Sequence, residues 1–421
     1  MIGPTNAGYG SATMLDKYAV KFDQSTFSSG ANLSYSDGFS GLTPLNNSST
    51  TGTMNSSMAW GSWQTLETNP YLKDCYYSVT YGDGTEVKLN PYDLTKALDG
   101  TDMSSVITAE NVMFNIPTRY ILRNANGFTH SRNPASGNAL AHTIDGDTYN
   151  WLAIGVYPSV NVSSVAKSVS GVKPSASITR PNFRTYSRAN GSPSNGIWMQ
   201  WNFHQYQLMR DLVLASTLNW DSQTRIGRGN LSGGNNSNWV LNGFANTLGL
   251  FVGSQSTGAG YGVKSLIENM WGQCWQFVDD TYTGDEYADS GSIWKDIYAG
   301  QNATPTDDTT NKTVVGRLYL GPSTGNISAG WKYASAINVT NAGWGIPLAH
   351  GGSTSSYTFD GCYNAAVTVS GGVPTVTSAH NFLVGGHSNR ASSAGVSALA
   401  VNDTLTYSGW SLGSRLAFVH N

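Results

Sequence analysis

The side chains of this chain best suited to chemistry lie near its C-terminal end. Val384-Gly385-Gly386 is followed by His387, Ser388, Asn389, Arg390, Ser392 and Ser393, and the chain closes with Trp410-Ser411-Leu412-Gly413-Ser414-Arg415-Leu416-Ala417-Phe418. None of the residues named from His387 to Ser393 packs a core well, yet they lie between two segments that do. Small hydroxyls, an amide, an imidazole and a guanidinium on fixed backbone can hydrogen-bond a partner reversibly, because ordering short side chains costs little entropy. Tyr407 and Ser411, which flank Trp410, extend the same surface, and Tyr363 adds a ring from the preceding loop. The plainer alternative is an ordinary solvated loop.

Other chemistry finds less support. The seven histidines, His130, His142, His204, His350, His380, His387 and His420, lack the close spacing of a metal site. No Gly-x-Ser-x-Gly elbow marks a nucleophile. Cys75, Cys274 and Cys362 are far apart and odd in number, so they read as small buried apolar groups rather than a disulfide framework. Asp145-Gly146-Asp147 and Asp279-Asp280 could hold a cation, but they read first as a hairpin turn and a solvated acidic pair. No catalytic residue, metal ligand or cofactor is therefore assigned.

The 421 residues can bury a large core, in one large domain or two to three ordinary ones. Charged residues make up 12%, about half the usual ~25%, while Gly reaches 48, Tyr 22 and Trp 13. The surface must then be built from Ser, Thr, Asn, Gly and Tyr, the composition of antibody-like contact surfaces. A net charge of -3 provides no basic excess to neutralise phosphates, which argues against nucleic acid as a partner. Nothing approaches a membrane span, and the first residues lack the basic start and apolar core of a secretory signal. The expectation is a chain made in a reducing cytoplasm yet carrying an outward-facing surface.

These side chains need elements to hold them. Residues 1–16 read as a flexible or docking arm, 17–111 as a β-rich N-terminal domain and 112–421 as the ligand-binding domain. Tyr18–Phe22 alternates like a strand, and Tyr76–Thr80 with Glu86–Leu89 flanks Asp83-Gly84 as a hairpin. Asn46 to Ser57 reads as a loop or insertion. Val112–Ile116 reads as a strand that Pro117 demotes to an edge or bend. Trp198, Trp201, Leu208, Leu212 and Ala215 recur near the helical period and predict a helix over about Trp198 to Leu218, with a shorter one over Phe183 to Ala189. Strands and long loops are expected at Gly243 to Val252, Leu266 to Val278 and Val314 to Leu320. The sum is an α+β fold with few helices and long ordered loops. Trp271, Trp275 and Trp410 are assigned to core packing, and Arg415, a charge in an apolar strand, to a structural hydrogen-bonding role.

Several of these segments together resemble a known family. Glu268-Asn269-Met270-Trp271-Gly272-Gln273-Cys274-Trp275-Gln276-Phe277-Val278-Asp279 is similar to the core motif of the C-type-lectin-like fold shared by formylglycine-generating enzymes and the variable proteins of diversity-generating retroelements. Gly385-Gly386 followed by Gly413-Ser414-Arg415-Leu416 resembles the closing motif of that fold. Ile154–Tyr157, Arg184–Ala189, Ser222–Asn230 and Leu89–Lys96 resemble its phage tail-protein branch. The oxidases of the superfamily need a cysteine pair in the C-terminal part, which is lacking after Cys362, and neither sugar-binding calcium triplet of its lectins is present. The resemblance implies a C-type-lectin-like domain at the tip of a phage tail, made in the host cytoplasm and carried on the virion. It implies binding of a host cell-surface protein or glycan, contact with other tail proteins, a homotrimer, and retroelement diversification of the His387–Ser393 loop. A structural tail or baseplate protein and a glycan-directed enzyme are the competing classes.

Overall fold

The computed structural model describes every residue except 1–16, 24, 26–32, 47–60, 231–232, 255–260, 351–360, 376 and 391–392. The expected N-terminal arm, all but the first residue of the Asn46–Ser57 insertion, and Ser392 therefore lie outside the described residues. Short antiparallel strands dominate, with only three α-helices among the described residues: α1 (Arg180–Arg188), α2 (Phe203–Thr217) and α3 (Ser222–Arg225). This corrects the α+β, lectin-like expectation: the fold is β-dominated. The helical signals in the sequence came from two real helices, α1 and α2, whereas the strands are mostly too short to register as periodic runs.

A seven-stranded sheet forms the central layer. Its order is Gly196–Gln200, Leu416–His420, Trp151–Gly155, Asn111–Pro117, Tyr76–Thr80, Glu86–Asn90 and Asp93–Ala97. The Asp83-Gly84 hairpin forms as expected, with Tyr77 opposite Leu89. Strands from both sides of residues 111 and 112 join this one sheet. Asn111–Pro117 is not an edge strand: it pairs on both sides, and Pro117 is tolerated as its last residue, where a missing N–H costs least. A four-stranded antiparallel sheet, which begins with Lys17–Phe22, packs its Tyr18, Val20 and Phe22 into the same continuous core as Val419.

Helix α2 is buried along its whole length. It starts at Phe203 because Asn202 accepts from the Gln205 N–H while the Gln205 side chain accepts from the Asn202 N–H, a reciprocal cap. Trp198 thus belongs to a strand and Trp201 to the connection ahead of the cap, although both sit at helical spacing from Leu208. A helix buried all round must satisfy its polar side chains: Asp211 takes the Arg123 guanidinium at 2.8 Å and the His130 imidazole at 3.2 Å.

The third large sheet positions the C-terminal loop. Its order is Thr313–Pro322, Ser292–Ala299, Trp275–Asp289, His380–Val384, Leu399–Val401, Cys362–Asn364 and the edge strand Gly330–Lys332. Leu412–Gly413 adds to Trp275–Gln276 in parallel. Gly243 to Val252, one of the segments read as strands and long loops, is mostly turns, with Phe251–Val252 the paired part.

Candidate functional site

The register of the third sheet gathers rings from three distant segments. Trp331 lies opposite Tyr363, Tyr363 opposite Ala400, Ala400 opposite Leu383, and Leu383 opposite Phe277. Directly opposed residues share a face, so these five form one row across the strands. The inner end of the row is core, with Phe277, Leu383 and Ala400 buried beside Trp275 and Leu412. Its outer end, Trp331 and Tyr363, is only partly buried because Gly330–Lys332 is the edge strand.

Trp331 is held flat. Its ring stacks on Trp275 with centroids 6.0 Å apart and an interplanar angle of 16°, and meets Tyr363 edge-on at 5.3 Å. Gly361 makes this possible, since a Cβ there would lie 2.4 Å from the Trp331 ring.

The loop after Gly385-Gly386 returns to these rings. Both glycines have left-handed φ, +92° and +77°, and a Cβ at Gly385 would lie 2.4 Å from the Met270 carbonyl oxygen. That conformation, open to glycine at little cost, turns the chain sharply out of the His380–Val384 strand. His387 then bridges to Gln273, and Ser388 is stitched down: its hydroxyl donates to the Gly233 carbonyl at 2.7 Å. His387 and Ser388 are buried, at 3% and 0% exposure, so they support the surface from below.

His387 has a specific supporting role. Its ring packs edge-on against Trp410 at 5.1 Å, and Arg390 Nε–H donates to its Nε2 at 2.8 Å. The Asn389 N–H also approaches Nδ1, at 3.3 Å. A neutral imidazole accepts at one nitrogen only, so the shorter contact fixes the tautomer: Nε2 accepts, and Nδ1 carries the proton. Burial first, then the Arg390 charge, pushes the imidazole down to about 3, so it is neutral at physiological pH.

Arg390, oriented by His387, places its guanidinium 5.6 Å from the Trp331 ring centre and 5.4 Å from that of Tyr363. Two partly exposed cation–π contacts at ~0.5–1 kcal/mol each are comparable to the ~2 kcal/mol of rotamer entropy an arginine loses when fixed. The guanidinium is thus held ready at small net cost. Asn389 beside it is exposed, and buried Ser393 bonds the Tyr333 hydroxyl at 3.0 Å. Ser411 anchors the far side through its carbonyl, which accepts from the Trp275 N–H at 2.9 Å. Tyr407, 45% exposed, stands on the neighbouring turn with its N–H bonded to the Thr404 carbonyl.

Of the residues singled out by sequence, His387, Arg390 and Tyr363 come together directly, Ser388 and Ser393 brace the loop, and Asn389 and Tyr407 face outward. Trp331 and Tyr333 were missed. The signal was available, since Gly330-Trp331-Lys332-Tyr333 places two rings on an alternating strand within a stretch otherwise poor in large apolar residues. Trp271 and Trp275 are buried as expected, whereas Trp410 is only partly buried and touches His387.

Two other sequence readings have structural answers. Asp145-Gly146 is the turn between Thr143–Ile144 and Asp147–Thr148, as read. Asp279-Asp280 is not a solvated pair. Asp279 accepts from Arg184 Nε and Nη2 at 2.7–3.0 Å, and Asp280 meets Lys312 at 3.0 Å and the Asn302 amide at 2.8 Å. An irregularity in the Trp275–Asp289 strand between Phe277 and Tyr282 turns both carboxylates inward, where buried charge requires partners. Among the described residues no group of three or more His, Cys, Asp or Glu could hold a metal, and no helix is long and apolar enough to cross a membrane.

No family model matches this sequence, and no curated protein matches it. A solved structure titled "Major Tropism Determinant U1 Variant" is similar at 12% identity, over 82% of this chain and 73% of that one, with a TM-score of 0.27. At that score nothing about fold or function is carried from one chain to the other.

Proposed function

We propose that this chain is a phage tail adhesin that binds a host-surface protein or glycan through the face formed by Trp331, Tyr363, Arg390 and the outward residues Asn389 and Tyr407. The observation that carries this reading is the Arg390 guanidinium, tied to His387 and held over two partly exposed rings. Aromatic and arginine side chains dominate the binding energy of protein surfaces, and rings fixed in advance lose little entropy on contact. A rigid support carrying exposed side chains also suits retroelement diversification, in which Asn389 and Tyr407 would change while the core under Trp275 is kept. Similarity of the C-terminal segments to phage tail variable proteins supports placement on the virion. A homotrimer would raise weak single-site binding through avidity.

The test is host-cell adsorption with Trp331→Ala, Tyr363→Ala and Arg390→Ala. Each should weaken binding by about thirtyfold, the ~2 kcal/mol of an interface hot spot, with thermal unfolding of the R390A and Y363A chains little changed. Unchanged adsorption sinks the proposal. Loss of virion assembly in place of adsorption would favour the structural tail role.

A further inference from the structure

Away from the aromatic face, the connection 300–312 between the paired strands Ser292–Ala299 and Thr313–Pro322 brings an amine, a carboxyl and a carboxamide together. Lys312 Nζ lies 3.0 Å from Asp280 Oδ1, and the two side chains are 0% and 1% exposed. Asp280 Oδ2 accepts from Asn302 Nδ2–H at 2.8 Å and from the Asn302 backbone N–H at 2.9 Å. One carboxylate therefore touches both the lysine amine and the asparagine amide. Asn302 Nδ2 also donates to the Asn311 carbonyl at 3.2 Å, which sets the amide against the residue next to Lys312.

The surroundings hold this grouping in place. Lys312 Nζ donates to the Thr306 carbonyl at 2.7 Å and lies 5.8 Å from the centre of the Tyr282 ring. Gly300 lets carboxyl and amide meet, since a Cβ there would clash with both Asp280 Oδ2 and Asn302 Nδ2. The other carboxylates that feel the Lys312 charge are engaged elsewhere: Asp307 with Arg180 and Arg184, and Asp308 with Thr306 and Thr310. Burial pushes the Asp280 carboxyl up, against the pull of Asn302 and Lys312, which makes it a better proton acceptor than an exposed aspartate.

An ion pair needs only the amine and the carboxyl. The carboxamide adds an acyl carbon beside a shielded amine, with a proton carrier in contact with both. We propose that Lys312 and Asn302 join in an isopeptide bond, with Asp280 as general base and acid. Asp280 takes a proton from the Lys312 ammonium, and the freed Nζ lone pair attacks Asn302 Cγ. The carboxylic acid hands that proton to Nδ2 and takes a second one from Nζ, and the Cγ–Nδ2 bond breaks. An Nζ–Cγ bond has then replaced a Cγ–Nδ2 bond, and ammonia leaves with the remaining proton as ammonium. No oxidant is needed, in a chain whose three cysteines are all free. Fixing the three groups in contact replaces a bimolecular encounter, and this makes an otherwise unreactive amide a substrate. The product closes the segment 302–312 covalently, which lowers the entropy of its open states.

The test is intact-mass spectrometry of the full chain, followed by tryptic mapping. The parent should be about 17 Da lighter than its sequence, the mass of one ammonia. Lys312 should resist trypsin, so that peptide 296–317 is recovered whole with the deficit confined between Asn302 and Lys312. Lys312→Arg keeps the charge and should restore the full mass, as should Asp280→Asn, which keeps the shape of the carboxyl without its proton chemistry. Full sequence mass in the parent with Lys312 cleaved normally would overturn the bond, and that reading needs no variant to fold. A deficit that survives Lys312→Arg would place the lost ammonia elsewhere and overturn the assignment, and a cross-link that forms in Asp280→Asn would overturn the role of Asp280.

Discussion

At the scale of single residues, the chain uses arginines as rigid joints. Arg415 is fully buried and donates to Gln276 Oε1 at 3.0 Å, to the Gly155 and Val156 carbonyls at 2.8 and 3.1 Å, and to the Glu268 carbonyl at 2.7 Å. Its donors tie the seven-stranded sheet to the start of the third sheet, where Trp275 begins. Burial pushes this guanidinium down to about 9, yet no carboxylate among the described residues pairs with it directly; carbonyl dipoles carry the charge. A lysine has neither the reach nor the fork to replace it. Arg415→Lys should therefore lower stability by about 2 kcal/mol or more, since each bond lost to a charged donor costs ~1.5–3 kcal/mol. Urea denaturation measures this, and an unchanged midpoint would refute the joint.

At the scale of elements, the edge strand Gly330–Lys332 decides whether the face is ordered. Among the described residues it pairs on one side only, with Cys362–Asn364, and three residues of ladder hold it weakly. What keeps Trp331 in place is the stack on Trp275 over the bare backbone of Gly361. Gly361→Ala should drive the ring out of the stack because the neighbouring edge is free to give. The expected result is loss of near-ultraviolet circular dichroism from Trp331, a stability cost of about 1–3 kcal/mol from overpacking, and a fall in adsorption like that of Trp331→Ala. A near-ultraviolet spectrum identical to that of the parent would show that the glycine does not hold the ring.

At the scale of the whole molecule, buried histidines set the response to acid. Burial is the leading cause in each case: His142, His204 and His387 are pushed down to about 3, and His350 and His380 to about 4. In the unfolded chain these groups take a proton near 6.5, while in the fold they stay neutral until far lower pH. The unfolded state therefore binds more protons through this window, so stability is full above about pH 6.5 and is lost as pH falls towards 3–4. Glu268, Asp221, Asp280 and Asp403 act in the opposite sense, since burial raises their carboxyls, but His130 and His420 are also lowered by burial, so the imidazoles outnumber the carboxyls. Calorimetry should find the unfolding temperature falling steadily from pH 7 to pH 4. A flat profile over that range would mean that these imidazoles gain protons without cost.

Composition and pattern by themselves determined much here. Low charge and abundant glycine and tyrosine foretold a polar uncharged surface. The Asp83-Gly84 hairpin, the short Arg180–Arg188 helix, the buried cysteines and the structural part played by Arg415 were legible because each depends on local rules or on the cost of burying one group. The same local signals misled where partners lay far along the chain. Asp279-Asp280 looked solvated until Arg184 and Lys312 arrived from other segments, and Trp198 looked helical until it paired with Phe418 in a sheet. The binding face is the clearest case. Residue types marked His387, Arg390 and Tyr363, but only cross-strand register could bring in Trp331, because that register is fixed by packing between strands separated by tens of residues and leaves no periodic trace in the sequence.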